Sequence, residues 1–261
     1  MTNKKSIRYH YYDGYNIANE QGAKSVLNKI RIIYRQEGIF TLAKEIFNHI
    51  IYRVDYILFR MNYAIFNRYF IVAKKKLKYF INLYNAVQTE RVIEIPFAEE
   101  FLLKSENKDV LEIGNVLSHY FNINRTIVDK YEKSTGIVNT DILDFTSNKK
   151  YDLIISISTM EHVGFDEPIK ESGKSKKAML RIVELLNSKG IAVITVPLGY
   201  NPEIDSIVKN NDINFTEKYF LKRISKFNLW QETTIEDALK YKYNSKYPAA
   251  NSVAFLLYKK E

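Results

Sequence analysis

The segment DVLEIGNVLSHYFNINRTIVD, residues 109–129, decides the fold. Its two short apolar runs, residues 109–113 and 125–129, each carry a carboxylate near the end, and Gly114 follows the first run. Runs this short, rich in Val, Leu and Ile, predict buried strands, and a glycine directly after a strand permits a turn that other residues resist. The segment therefore predicts two strands of one sheet with polar groups where they end.

Further short runs rich in apolar and β-branched residues follow along the chain. We predict strands at 136–138, 151–157, 190–196, 229–234 and 252–258. Between them, the clearest helix is KSKKAMLRIVELLNSKG, in which Ala178, Met179 and Ile182 share one face and Gly190 is placed to end the helix. Strands alternating with helical segments indicate a parallel α/β sheet, and wholly apolar strands indicate burial on both faces.

The connection after Asp129 is unusually short. Only about eight residues separate it from the next strand candidate, whereas a parallel crossover with a helix needs a dozen or more. The sequence therefore predicts either a vestigial second crossover or a displaced third strand.

The first third of the chain has a different composition. The net charge of +9 arises entirely there, because residues 1–85 contain 15 Lys and Arg against 5 Asp and Glu, and the remainder contains 24 against 25. Val26, Leu27, Ile30 and Ile33 recur at helical spacing, and residues 39–84 contain neither Gly nor Pro. We predict a basic amphipathic helical extension over residues 1–88, with the Lys74–Lys78 cluster on a solvated helix face, and a second domain over residues 89–261.

Composition also excludes some chemistry. The chain has no cysteine, which removes thiolate catalysis and Cys-based metal sites, and its four scattered histidines predict no metal centre. The start lacks an apolar leader, which predicts a cytoplasmic protein. Arg60 and Arg68 interrupt the most membrane-like stretch, residues 56–73. The basic extension predicts peripheral contact of residues 1–85 with an anionic membrane, and nucleic acid is the lower-ranked partner.

The motifs after residue 90 resemble those of the class I S-adenosylmethionine-dependent methyltransferases. The resemblance is carried, in order, by VLEIG, IVDK, DILDF, YDLIISISTMEHVG and LLNSKGIAVITVPLG. The strings NVLSHY, VDKYEK, ISTMEHVG and VPLGYNP are similar to a prokaryotic subset associated with glycan-assembly gene neighbourhoods. The resemblance implies a doubly wound, mostly parallel, seven-stranded Rossmann-like sheet with a helical N-terminal extension, and S-adenosylmethionine as cofactor.

It also implies a cofactor site at the strand ends, composed of Glu112, Gly114, Asn115, Asp129, Lys130, Asp141, Ile142, Ser156 and Ser158. In that site Glu112 stands near the methionine ammonium, Asp129 accepts the ribose hydroxyls, and Asp141 accepts the adenine amino group. The sequence departs from the family's glycine-rich loop, because Val116 and Ser118 stand where the second and third glycines are expected.

Candidate catalytic residues follow the strand at 151–157. His162 is the best-placed base, with Glu161 to orient it and Asp166 in reserve, although the EHV string also suits packing against the cofactor. Tyr200 and Asn201 are predicted to face the acceptor, or to form an ordinary Asn-Pro turn.

Three functions remain open from the sequence. The first is O-methylation of a saccharide or lipid-linked glycan, the second is RNA methylation, and the third is a degenerate methyltransferase fold used as a scaffold. The oligomeric state is not predicted.

Overall fold

The structure is a computed structural model that describes residues 34–35, 38–44, 46–47, 50–51, 54, 56–66, 68–81, 88–122 and 124–261. The chain forms two compact units, one of residues 1–61 with 116–123 and the other of residues 62–115 with 124–261. In the first unit the described positions from 34 to 61 are helical, and Leu117–His119 is a 3₁₀ turn. The helix prediction is confirmed at those positions.

Several predicted features fall outside the described residues. They are residues 1–33 of the extension, including Val26, Leu27, Ile30 and Ile33, together with His10 and His49.

The larger unit is built on one sheet. Its elements are β1 (Tyr69–Val72), β2 (Lys75–Lys78), α1 (Arg91–Leu102), β3 (Val110–Ile113), β4 (Thr126–Asp129), β5 (Ile137–Asn139), β6 (Tyr151–Ile157), α2 (Lys174–Leu185), β7 (Leu186–Pro197), α3 (Pro202–Asn210), β8 (Glu217–Arg223), β9 (Trp230–Thr233), α4 (Ile235–Ala238) and β10 (Ser252–Lys259). The sheet order is β5-β4-β3-β6-β7-β10-β8-β9. The five strands from β5 to β7 are parallel, and β10, β8 and β9 are antiparallel.

This sheet confirms the predicted doubly wound, mostly parallel α/β class, and it corrects the strand number. The described residues form an eight-stranded sheet rather than a seven-stranded one. The unpredicted strand is β8, EKYFLKR, whose Lys, Glu and Arg side chains hide a strand pattern in the sequence. It forms because both of its edges pair, with β10 on one side and β9 on the other.

Both faces of the sheet are covered, as the apolar strands predict. On β10, Phe255 packs edge-on against Phe97 of α1, with ring centroids 4.7 Å apart. The neighbouring residues Ala254 and Leu256 point to the opposite face, in the core that α2 and α3 complete. Because successive residues of a strand face opposite sides, a wholly apolar strand such as β10 buries both of its faces.

The short connection between β4 and β5 is a vestigial crossover, one of the two predicted outcomes. The strands pair in parallel across residues 130–136, and that segment contains no helix. The Asn139 side-chain amide donates to the backbone carbonyl oxygens of Asp129, Lys130 and Glu132. These bonds replace the backbone bonding that a helix would have supplied.

The predicted role of Gly190 is wrong. The helix α2 ends at Leu185, and Leu186 already has extended dihedrals (φ −71°, ψ 142°) that begin β7. Gly190 lies within that strand, where a Cβ would fall 2.9 Å from the carbonyl oxygen of Tyr151.

The helix prediction is also wrong for residues 69–78, which form the antiparallel hairpin of β1 and β2. The burial alternates with period two: Phe70 and Val72 are buried, and Tyr69 and Ile71 are exposed. This pattern belongs to a strand with one covered face. The sequence hid it because the turn, Ala73-Lys74, contains no Gly or Asn although both residues have positive φ (54° and 59°).

The hairpin packs on the edge of the sheet. The ring of Tyr79 stacks on Tyr63 with centroids 4.9 Å apart, and the Tyr79 hydroxyl accepts the backbone N–H of Trp230 in β9 at 2.8 Å. The Tyr63 hydroxyl lies 2.8 Å from the carbonyl oxygen of Phe227. Residues 62–81 therefore contact the sheet directly, and the predicted domain boundary at residues 88 and 89 stays a prediction.

A matched pair of substitutions tests the hairpin. Val72→Ala removes a fully buried side chain and is expected to lower the free energy of unfolding by about 2 kcal/mol. Ile71→Ala, one residue away on the exposed face, is expected to cost about 0.5 kcal/mol or less. Urea unfolding followed by circular dichroism measures both, and equal losses would contradict the alternation.

Candidate functional site

The candidate site lies where the strand order reverses. From β3 the chain proceeds outward on one side through β4 and β5 and then continues on the other side with β6. Ligands of doubly wound sheets bind at the carboxyl ends of the strands at such a switch point. Gly114 follows β3 and Ser158 follows β6. Both therefore lie where ligands bind in this class of fold.

Two unusual backbones meet there. Gly114 has φ +80°, and a Cβ on it would lie 2.2 Å from Oγ1 of Thr159. Ser158 has φ +39°, which is rare for a residue with a side chain, and its amide donates to the carbonyl oxygen of Thr195. Strain of this kind persists where the surrounding structure holds it and clusters at functional sites.

Asp129 ends β4 beside this turn. One carboxylate oxygen, Oδ2, accepts the Asn115 amide at 3.0 Å, and Oδ1 accepts the amides of Tyr131 and Glu132, both at 2.8 Å. Burial opposes ionisation of the carboxyl group, but the three amides outweigh it and hold the pKa of Asp129 below its usual range. Each carboxylate oxygen accepts two hydrogen bonds, so Oδ2 has capacity for a further donor.

Glu112 has a different environment. Its Oε2 lies 2.5 Å from Nε of Arg125, and both side chains are 1 % exposed. A buried guanidinium and carboxylate neutralise each other at a separation this short. The predicted contact of Glu112 with a methionine ammonium stays a prediction, since the structure shows this carboxylate in an ion pair.

Asp141 and Lys130 also belong to an ion-pair network. Lys130 and Lys174 each bridge Asp141 and Glu167, with four N–O distances of 2.7–2.9 Å. The Leu143 amide donates to the other oxygen of Asp141. Burial opposes ionisation of Asp141, but the ion pairs hold its pKa at about 2. The predicted adenine contact must compete with these partners, and the side chain of Ile142 lies in the core.

The buried cluster of Glu94 and Arg91 at the end of β6 was not predicted from the sequence. Glu94 of α1 is fully buried, accepts the hydroxyl of Ser158 at 2.6 Å and pairs with Arg91 at 3.0 Å. Burial raises the pKa of Glu94, opposed by the charge of Arg91. Arg91 also donates to the carbonyl oxygen of Ile157. The helix α1 thus brings one carboxylate and one guanidinium to the end of β6.

Glu161 is buried beside this cluster. Its side chain is 1 % exposed, and Oε2 has no hydrogen-bond partner among the described residues. Burial raises the pKa of Glu161 well above its usual value, and the charge of Glu94 raises it further. The hydroxyl of Ser156 is likewise buried without a partner among the described residues. Orphaned buried polar atoms of this kind are uncommon in native proteins and indicate a site that receives another group.

His162 pairs with Asp166 rather than with Glu161. Its Nδ1 donates to Oδ2 of Asp166, and its Nε2 lies 3.5 Å from Oε1 of Glu161. The hydroxyl of Tyr200 also donates to Oδ2 of Asp166, at 2.5 Å. With Nδ1 facing a carboxylate, Nε2 carries the lone pair, and the half-exposed imidazole can take a proton. The orienting role predicted for Glu161 thus has better geometry in Asp166.

The two predicted acceptor residues differ. Tyr200 packs edge-on against His162 and Tyr243, with centroids 5.2 and 4.9 Å apart. Asn201 is buried, because its Oδ1 caps α3 by accepting the Glu203 amide and its Nδ2 donates to the Glu161 carbonyl oxygen. Asn201 is the N-cap of α3 and Pro202 its first residue, so the segment begins a helix rather than forming the predicted Asn-Pro turn, and an acceptor contact of Asn201 stays a prediction.

Tyr243, in the Tyr- and Lys-rich segment of residues 235–251, was not predicted from the sequence. Gly199 (φ +73°) makes the contact with this segment possible, since a Cβ there would lie 2.3 Å from the Tyr241 carbonyl oxygen. The Tyr243 amide donates to the Gly199 carbonyl oxygen. Burial and then the charges of Glu90 and Glu161 raise the pKa of Tyr243 to about 12, so it stays a neutral donor.

Among the described residues, no cluster of three or more His, Asp or Glu side chains could hold a metal ion.

The comparisons with known proteins give likenesses of fold. No protein-family model matches the sequence, and no curated protein matches it. The N-methyltransferase NodS from Bradyrhizobium japonicum WM9 is 13 % identical with a TM-score of 0.38, over 66 % of this chain and 96 % of that one. An S-adenosylmethionine-dependent methyltransferase from Clostridium acetobutylicum ATCC 824 is 14 % identical with a TM-score of 0.34, over 63 % and 90 %.

Coclaurine N-methyltransferase, bound to N-methylheliamine and S-adenosylhomocysteine, is 13 % identical with a TM-score of 0.40, over 74 % of this chain and 76 % of that one. Identities and TM-scores this low indicate a likeness of fold alone, and the activity is inferred from the residues of the site.

The ion pair of Glu112 and Arg125 can be separated from cofactor binding by experiment. Glu112→Gln removes the charge that faces a buried guanidinium and is expected to lower the free energy of unfolding by about 3 kcal/mol in urea. The double variant Glu112→Met/Arg125→Met is expected to recover most of this loss. Glu184→Gln, at an exposed ion pair, is the control and is expected to cost about 0.5 kcal/mol or less. Unchanged stability of Glu112→Gln would favour the role at the cofactor.

Proposed function

We propose that this protein is an S-adenosylmethionine-dependent methyltransferase. The observation that carries the proposal is the placement of Asp129, whose carboxylate ends β4 beside the Gly114 turn at the switch point of the sheet. In this class of fold, an acid at the end of the second parallel strand, here β4, accepts the ribose hydroxyls. The motif resemblance places the same residue in that role.

The residues present fit the cofactor. Asp129 Oδ2 keeps acceptor capacity for a ribose hydroxyl. The orphaned side-chain atoms belong to Ser156, near the carboxyl end of β6, and to Glu161, in the loop after that strand. Arg91 and Glu94 add opposite charges at the end of β6, which suits the carboxylate and ammonium of an amino acid. Gly114, Asn115 and Ser158 supply the backbone of the pocket. When bound, the cofactor supplies an electrophilic methyl group.

The chain's own part in the reaction is alignment and proton transfer. An in-line displacement at a methyl group needs the acceptor atom held in place, and the protein provides this positioning. A hydroxyl acceptor must also lose its proton, and Nε2 of His162 is the atom that can take it. Asp166 holds the opposite nitrogen and stabilises the imidazolium that forms, while Tyr200 holds Asp166.

This base supports a hydroxyl-bearing acceptor. We assign the acceptor to the saccharides, as a free or lipid-linked glycan intermediate methylated on oxygen in the cytoplasm. The His162–Asp166 pair supports the oxygen, because a neutral hydroxyl needs a base whereas a deprotonated amine does not. The choice of a saccharide is supported by the resemblance to a prokaryotic subset associated with glycan-assembly gene neighbourhoods. Tyr200 and Tyr243 supply the aromatic wall beside the base.

Cofactor binding is the first test. Calorimetric titration with S-adenosylhomocysteine is expected to give micromolar affinity for the wild type and a loss of at least about tenfold for Asp129→Ala, since a hydrogen bond to a charged group contributes about 1.5–3 kcal/mol. Asp144→Ala, an exposed carboxylate three residues beyond Asp141, is the matched control and is expected to bind normally. A folded wild type that does not bind S-adenosylhomocysteine would move the scaffold function to first place.

Acceptor chemistry is the second test. With a saccharide panel and S-adenosylmethionine labelled in the methyl group, His162→Gln is expected to lower kcat about 10²- to 10⁴-fold while cofactor affinity stays unchanged. Asp166→Asn is expected to lower kcat by a smaller factor, because it misorients the imidazole without removing it. Full activity of His162→Gln would show that this imidazole packs the loop and that the acceptor needs no base.

A further inference from the structure

The outer surface of the β1–β2 hairpin plays no part in the chemistry above. Together with the helical turn that precedes it, it forms a surface of six side chains, the hairpin face, consisting of Ile65, Phe66, Tyr69, Ile71, Lys76 and Lys78. The four apolar members are 63 %, 75 %, 48 % and 55 % exposed. We propose that the hairpin face docks the protein on an anionic phospholipid bilayer.

The fold leaves this face outward. Phe70, Val72, Leu77 and Tyr79 fill the inner face of the hairpin and are 8 % exposed or less. Because side chains alternate along a strand, the buried inner set fixes the direction of the outer set. Tyr69 and Ile71 of β1 therefore cannot turn inward without removing those four from the core. An exposed apolar cluster that the fold itself maintains marks an interaction surface.

The register mixes apolar and basic side chains on that face. Tyr69 pairs with Lys78 and Ile71 pairs with Lys76, so each strand pair presents one apolar and one cationic side chain. Lys76 Nζ lies 4.7 Å from the centre of the Tyr69 ring. Lys76 and Lys78 have no ion pair with a described acid, although Lys75 on the inner side pairs with Glu100. The cations of the outer face are therefore available to an anionic partner.

A bilayer fits this combination better than other partners do. Interfacial surfaces insert aliphatic and aromatic side chains while Lys and Arg reach the lipid headgroups. Phe66 and Tyr69 carry rings on which a nucleobase could stack, but the other two apolar members, Ile65 and Ile71, do not, and a lipid interface accommodates all four. A second copy would bring Lys76 and Lys78 against their own counterparts, and like charges there repel. Among the described residues, no helix is long and apolar enough to cross a membrane.

The surrounding sequence has the same character. Residues 1–85 carry 15 Lys and Arg against 5 Asp and Glu. Described helical positions before residue 62 also expose apolar side chains, including Phe40 at 88 % and Phe47 at 61 %. Docking is independent of methyl transfer, because it requires neither cofactor nor acceptor. A failure of one proposal therefore leaves the other intact.

The test is co-sedimentation of the full chain with vesicles of phosphatidylglycerol and phosphatidylcholine in equal parts, beside vesicles of phosphatidylcholine alone. The wild type is expected to bind the anionic vesicles at least about tenfold more tightly, and salt is expected to weaken this binding. Lys76→Glu/Lys78→Glu is expected to weaken it at least about tenfold. Phe66→Ser/Ile71→Ser is expected to weaken it by a similar factor through lost apolar burial.

Matched controls separate this face from general charge. Lys133→Glu/Lys209→Glu changes the charge equally at exposed positions elsewhere, and Ile169→Ser removes an aliphatic side chain that is 83 % exposed. Both control variants are expected to bind within about twofold of the wild type, and unchanged melting temperatures confirm folding.

Three outcomes would overturn the proposal. One is that the wild type binds both vesicle types equally or binds neither of them. Another is equal losses in the control variants. The last is unchanged vesicle binding by Phe66→Ser/Ile71→Ser together with evidence for another partner. If that variant dissociates a dimer in sedimentation velocity, the face belongs to a second copy. If Lys76→Glu/Lys78→Glu instead abolishes binding to a mixed-sequence RNA, the face belongs to nucleic acid.

Discussion

The close approach of two loops at the carboxyl ends of β3 and β6 constrains the rest of the site. Gly114 leaves no room for a side chain because Thr159 occupies the space that a Cβ would need. The same approach places Ser158 at positive φ, where its hydroxyl reaches Glu94 of α1. One steric contact thus connects β3, β6 and the helix α1, and it determines where the carboxylates of the site lie.

Charge burial is the second constraint. Glu112 with Arg125 and Glu94 with Arg91 each place opposite charges together in the interior, where an unpaired charge would cost several kcal/mol. Arg223 is buried differently: its guanidinium donates to the carbonyl oxygens of Gln88, Pro248, Ser225 and Lys226. Those bonds hold the end of the Tyr- and Lys-rich segment against the sheet, and Tyr243 of that segment contacts Tyr200.

The chemistry proposed for the site follows from the different environments of its acids. Three backbone amides keep Asp129 ionised and partly available as an acceptor, and two hydrogen bonds keep Asp166 ionised beside His162. Burial instead raises the pKa of Glu161, and it raises the pKa of Glu94 against the opposing charge of Arg91. A site with both kinds of carboxyl group can present ionised acceptors to hydroxyls and a base assembly to the acceptor substrate.

The sequence by itself determined the α/β class, most strands of the sheet, the shortness of the crossover after β4, the positions of Asp129 and Gly114 at strand ends and that of His162 after β6, because these depend on local periodicity and on chain order. The structure decided that this crossover is vestigial and that β5 is not displaced. The sequence did not determine β8, whose formation depends on two pairing partners distant in sequence, nor the hairpin at 69–78, whose turn lacks Gly and Asn. The pairing of Asp166 with His162, four residues apart, depends on the local turn after β6. The ion pairs of Glu112 and Asp141 and the arrival of Glu94 from α1 were decided by tertiary structure alone, because side chains far apart in the chain meet only when the sheet and its covering helices bring them together.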